Sequence, residues 1–149
     1  MKTQELTDRL VQHLKSYHEN RRAIIANVIP LRWYECDVLA FTKDGLFNEY
    51  EIKTSRSDFL KEFGIRSSKA EKHAKMAVGH PLGPSTYTIV VPTMDIVEPD
   101  LVPPYAEVYV LIDGIKWFVA KSGRWLHKEP MSVPRLANLT IKIWAKGDS

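Results

Sequence analysis

The sequence predicts a mixed α/β domain on three observations. An N-terminal stretch repeats apolar residues at helical spacing, several short β-branched or aromatic runs are bounded by turn residues, and a basic, helix-favouring stretch lies between two of those runs. The 149 residues include four Trp, six Tyr and five Phe among many aliphatic side chains. That supplies one sizeable core and excludes intrinsic disorder. A single domain over 1–149 is expected.

From Thr3 to about Tyr17, the residues Leu6, Leu10, Leu14 and Tyr17 fall on one helical stripe, with Thr3 as N-cap and Gln4 and Glu5 in the first turn. Residues 23–29 (AIIANVI) read as a buried strand stopped by Pro30. Two further strands, 33–41 and 47–53, flank Thr42-Lys43-Asp44-Gly45-Leu46. Residues 56–77 are largely helical, with Ser55 or Ser57 as cap and a break near Gly64. Gly79, Pro81, Gly83 and Pro84 force a loop before the strand YTIVV at 87–91, which Pro92 ends. Pro99, Pro103 and Pro104 mark a connecting segment. Strands at 107–112 and 116–120 flank Asp113-Gly114-Ile115, a hairpin signal. Ser132 and Pro134 open a last helix that runs through Leu136, Thr140, Ile143 and Trp144 to Gly147.

No apolar run approaches the roughly 20 residues of a membrane-spanning helix. The opening MKTQELTDRL lacks the apolar core of a secretion signal, so a cytoplasmic protein without membrane contact is expected. The single cysteine, Cys36, excludes an intrachain disulfide and any zinc or iron–sulfur site of four cysteines. No Walker loop or Gly-rich dinucleotide fingerprint is present. Trp117, Phe118, Trp125 and Trp144 suit core or interface better than base stacking.

The net charge of +3 is unevenly distributed. Residues 53–80 hold seven basic side chains (Lys53, Arg56, Lys61, Arg66, Lys69, Lys72 and Lys75) against three acids, a net +4, while the rest of the chain is −1. Such a concentration suits a phosphate-bearing partner, or equally a solvated helix face with i,i+4 charge pairs.

The acids cluster on the two central strands. With a period of two, Glu35 and Asp37 share a face, as do Glu49, Glu51 and Lys53, whereas Cys36 points the other way. A three-residue loop, Lys43-Asp44-Gly45, pairs Thr42 with Leu46, sets Asp37 opposite Glu51, and sets Glu35 opposite Lys53. A two-residue Asp44-Gly45 loop would instead put Asp37 opposite Ile52. Like charges facing each other are destabilising unless they are solvated, share a proton or bind a cation. Four carboxylates against Lys53 leave a surplus that suits a hard divalent ion, Mg²⁺ or Mn²⁺, rather than zinc. A hairpin with a wet outer face is the plainer account of the same spacing.

Asp37, thirteen intervening residues and then Glu51-Ile52-Lys53 resembles the signature of PD-(D/E)XK nucleases, with Cys36 where the strict motif has proline. The order of helix, acid-bearing hairpin, helix after Lys53 and apolar strand resembles that family's core over about residues 3–92, with 93–149 as a C-terminal addition carrying a hairpin and a helix. The run from Glu51 to Phe59 (EIKTSRSDF) also resembles a stretch of MmcB-like DNA-repair proteins and related phage-type nucleases.

The resemblance implies a restriction-endonuclease-like fold, a mixed central sheet flanked by helices. It implies a metal-dependent endonuclease acting on DNA in repair, recombination or phage DNA processing. The metal ligands would be Asp37, Glu51 and the main-chain carbonyl of Ile52, with Lys53 orienting or deprotonating the attacking water or stabilising charge on the phosphate. Members often add a carboxylate from the first helix: Glu5 is the candidate and Glu19 its rival, and either reads equally as a surface acid. Glu35 would tune the metal or pair with Lys53. Arg56, Lys61, Lys69, Lys72 and His73 would track the DNA backbone. Family endonucleases often dimerise to cut two strands, so a homodimer is an implied partner. The competing readings are a catalytically inactive nucleic-acid-binding or scaffold module of the same fold, and a small protein-interaction domain.

Overall fold

The computed structural model describes residues 1–17 and 21–147. Its centre is a six-stranded sheet in the order β1 (Arg21–Val28), β2 (Cys36–Thr42), β3 (Phe47–Ile52), β4 (Thr86–Val91), β5 (Glu107–Ile112) and β6 (Lys116–Lys121). The pairs β1–β2, β2–β3 and β5–β6 are antiparallel, and β3–β4 and β4–β5 are parallel. Parallel neighbours need a crossover. Helices α2 (Arg56–Phe63) and α3 (Ala70–Ala77) make the first, and a segment with two single-turn 3₁₀ helices, Met94–Ile96 and Pro99–Leu101, makes the second.

Helices cover both faces. On one, Leu6, Leu10 and Leu14 of α1 (Thr3–Tyr17) pack on Val38, Ala40, Tyr50, Ile52 and Val90, the stripe that the leucine spacing predicts. On the other, Phe59, Met76 and Leu139, from α2, α3 and α4 (Val133–Gly147), pack on Leu39, Phe47, Ile89 and Val91. The protein is thus a mixed α/β fold with a sheet flanked by helices. Residues 93–147 are built into it, since β5 and β6 extend the sheet and Leu139 joins the core. Among the described residues no helix is long and apolar enough to cross a membrane.

The β2–β3 turn sets the register on which the acidic face depends. Gly45, at φ 82°, donates from its amide to Thr42 O at 2.9 Å, and Thr42 N donates to Leu46 O at 3.0 Å. The loop therefore has three residues, and the ladder runs Phe41–Phe47, Ala40–Asn48, Leu39–Glu49 and Val38–Tyr50. Asp37 comes level with Glu51, as the three-residue loop predicts. At the other hairpin, Asp113 and Gly114 both lie at positive φ (52° and 69°), which fits the right-handed twist of the flanking strands.

Two strand expectations need correction. The strand expected at 33–41 begins only at Cys36. After Pro30 the chain turns, with Trp33 N donating to Pro30 O at 3.0 Å and Arg32 at φ 65°, which leaves residues 33–35 outside the ladder. Cys36 also faces the opposite way from the simple alternation. Its partner in β1 is Val28, which follows Asn27 at φ 52°, and both side chains turn into the α2/α3 side of the core. One left-handed residue breaks a period-two pattern.

Candidate functional site

The site lies where β2 and β3 meet the start of α2. Asp37, half-buried near the start of β2, accepts a hydrogen bond at Oδ2 from the Ile52 amide at 2.8 Å. That bond holds the aspartate against the end of β3, where Glu51 is buried. Lys53 follows directly, its amide donating to Val90 O of β4 at 2.9 Å. Its Nζ lies 3.2 Å from Glu51 Oε1 and 3.4 Å from Glu62 Oε1. Ser55 caps α2 by accepting from Asp58 N at 3.1 Å, so the helix starts three residues after Lys53 and brings Glu62 back over it.

Behind these residues lies a buried polar chain. Glu62 Oε2 accepts from His73 Nε2 at 2.6 Å, and His73 Nδ1 is 2.6 Å from the Tyr105 hydroxyl. Beside it Glu49, wholly buried, is ion-paired with Lys72 (2% exposed) and accepts from Trp33 Nε1 at 3.2 Å. The Tyr87 hydroxyl is buried near Glu51 and Glu62, without a hydrogen-bond partner among the described residues.

Electrostatics divides the carboxylates. Burial, followed by the neighbouring Asp37, pushes Glu51 from its ordinary 4.5 up to about 8, although Lys53 pulls it down. Burial also acts to raise Glu62, but the His73 hydrogen bond and the Lys53 charge outweigh it and hold that group at about 2. Burial lowers Lys53, and the charges of Glu51 and Glu62 more than restore it, so its ammonium is retained above the ordinary range. Burial drives the Cys36 thiol well up, with Glu49 adding to the effect, which makes it a poor nucleophile.

Of the residues expected from sequence, Asp37, Glu51, Ile52 and Lys53 come together. Glu35 does not join them: it is exposed in the segment before β2, and the carboxylates on Lys53 are Glu51 and Glu62. Glu5 is exposed on the first turn of α1, and among the described residues no hydrogen bond or ion pair joins it to Asp37 or Glu51. That turn does reach the site's edge, with the Thr3 and Thr54 hydroxyls 2.9 Å apart. Glu19 lies outside the described residues.

The basic candidates separate by helix face. Lys61 is exposed and Lys69 half-buried at the start of α3, whereas Arg56, though exposed, is paired with Glu98 at 2.7 Å. Lys72 and His73 are not surface cations: Lys72 lies on the buried stripe with Met76, and His73 is bonded inward to Glu62 and Tyr105. Sequence reasoning missed Glu62 and Tyr105. Glu62 carries a signal, an acid three residues after the buried Phe59 on a helix that begins beside Lys53.

Among the described residues no group of three or more His, Cys, Asp and Glu side chains is arranged to hold a metal. The candidate donors are the Asp37 and Glu51 carboxyls and the Ile52 main-chain carbonyl, a hard-oxygen set in which Glu51 is buried and resists ionising. That chemistry fits a divalent cation of the magnesium type.

No protein-family model matches the chain, and no curated protein matches it. A solved structure of a protein of unknown function from Silicibacter pomeroyi is similar in fold, with a TM-score of 0.66 at 17% identity over 99% of this chain and 87% of that one.

Proposed function

We propose that the chain is a Mg²⁺- or Mn²⁺-dependent deoxyribonuclease of the PD-(D/E)XK type, hydrolysing phosphodiester bonds in DNA repair, recombination or phage DNA processing. One observation carries the proposal: Asp37 is held by the Ile52 amide against the strand that presents Glu51, with Lys53 next in the chain and in contact with Glu51. The element order supports it too: a helix, three antiparallel strands, a helical crossover and a parallel strand.

Asp37, Glu51 and the Ile52 carbonyl would hold the ion. When bound, it supplies a polarised phosphoryl oxygen and a water of lowered pKa. Asp37, fixed through Oδ2, orients that centre. Lys53 keeps its charge between Glu51 and Glu62 and offers an ammonium to the charge that develops on the phosphate. Lys61 and Lys69 offer backbone contacts that position DNA without reading its sequence.

The test is incubation of plasmid, single-stranded and branched DNA with the protein in Mn²⁺ or EDTA. Cleavage should need the metal, and Asp37→Ala and Lys53→Ala should each lower it by roughly 10²–10⁴-fold while the fold persists. Undiminished cleavage by either variant would refute the assignment, and salt-sensitive DNA binding without turnover would favour a non-catalytic module.

A further inference from the structure

Lysine is a flexible four-carbon stem with a strongly hydrated head, and ordering it costs rotamer freedom. A single contact with Glu51 would leave Lys53 free to swing about that carboxylate. The second contact comes from Glu62, and Glu62 is itself restrained at several points. The residue is 3% exposed, Oε1 faces Lys53, Oε2 accepts from His73, and its main-chain carbonyl accepts from Ser67 Oγ at 2.6 Å.

His73 is held as firmly. An ionised carboxylate carries no proton, so Nε2–H donates to Glu62, and Nδ1 is bonded to the Tyr105 hydroxyl. Its ring lies 5.1 Å from Phe63, 5.6 Å edge-on to Tyr87 and 6.3 Å from Tyr105. Placing polar groups among aromatic rings is costly unless each is bonded. Apolar residues at these positions would have packed the crossover at less cost, so the polar chain needs a purpose beyond filling space.

We infer that Glu62 and His73 are positioning residues for Lys53, with Tyr105 anchoring the far end of the chain. This deepens the nuclease reading and gives the region after β4 a role, since through Tyr105 it steadies the lysine next to the metal ligands. Lys53 Nζ is held between two carboxylates, one of which (Glu51) belongs to the proposed metal site and one of which (Glu62) does not.

The test uses Glu62→Gln, which keeps shape and removes charge, and Tyr105→Phe, which removes one hydroxyl and preserves packing. Two readouts are needed. In DNA cleavage with Mn²⁺, Glu62→Gln should lower kcat about 10–100-fold, the scale of an ångström-sized misplacement, with KM changed less than about threefold. Tyr105→Phe should lower kcat about 3–10-fold in the same sense. In lysine-ammonium NMR, the Lys53 signal, assigned with Lys53→Arg, should be slow to exchange in the parent protein and lost in Glu62→Gln. Unchanged kcat in folded Glu62→Gln, or an unchanged Lys53 signal, would overturn the inference. A parent protein that cleaves no DNA, while its Lys53 signal still depends on Glu62, would support the positioning chain and sink the nuclease reading instead.

Discussion

Replacing Glu51 with Gln isolates the cost of one buried charge. Burial and Asp37 move its carboxyl from 4.5 to about 8 in the folded chain. At about 1.36 kcal/mol per pK unit, and allowing for local relaxation when the charge forms, ionising Glu51 costs the fold roughly 2–4 kcal/mol. The sign follows from proton linkage. Between 4.5 and about 8 the folded chain binds more protons here than the unfolded chain, so this contribution to stability falls as pH rises through that window. Glu51→Gln stays neutral throughout and leaves Lys53 its contact with Glu62. Thermal melts in EDTA should therefore agree within about 2 °C near pH 4, and near pH 9 the variant should melt about 5–15 °C higher, at the few degrees per kcal/mol expected for this size. Adding Mn²⁺ near pH 9 should close the gap by stabilising the parent protein alone. A difference between parent and variant that stays constant across this range, or a variant no more stable near pH 9, would refute the reasoning.

Lys72→Met should cost about 3–5 kcal/mol in urea unfolding, because it leaves Glu49 buried without its cation. Adding Glu49→Gln should recover much of that loss, and a mild effect from Lys72→Met alone would show that the pair is not a buried charge pair. Lys61→Ala with Lys69→Ala should weaken duplex binding and reduce the slope of log K against log salt by about 0.9 for each phosphate no longer neutralised. An unchanged slope would remove these two lysines from the DNA path.

Much of this was legible because local chemistry decides it. Gly45 in the left-handed region closes a three-residue loop, and one loop length fixes the faces of two strands. Ser55 and Gly64 bound α2 by capping it, which depends on neighbours a few residues away. The errors share a different origin. Counting Lys72 and His73 as surface cations summed charge along the chain without asking which helix face each occupies, yet Lys72 precedes the buried Met76 by one helical turn. Tyr105 meets His73 across 32 residues, from a proline-bounded segment with no periodicity to read. Cys36 pairs with Val28, the residue after the left-handed Asn27 in the neighbouring strand, and alternation within its own strand cannot report that neighbour.

Glu49 and Glu51 show how the fold separates two identical side chains two residues apart on one strand. Glu49 is in direct contact with Lys72 and accepts from an indole N–H within the core. Glu51 shares Lys53 with Glu62 and has Asp37 as its neighbour. With all three of these carboxylates ionised and Lys53 as the cation between them, the group carries two surplus negative charges, apart from any on His73. A divalent cation matches that surplus, whereas proton uptake by Glu51 relieves only half of it. The same strand therefore carries one carboxylate met by an ion pair and another whose ionisation burial and Asp37 oppose. That asymmetry, more than the Asp-Glu-Lys spacing, gives a reason to look for a metal at Asp37 and Glu51 and not at Glu49.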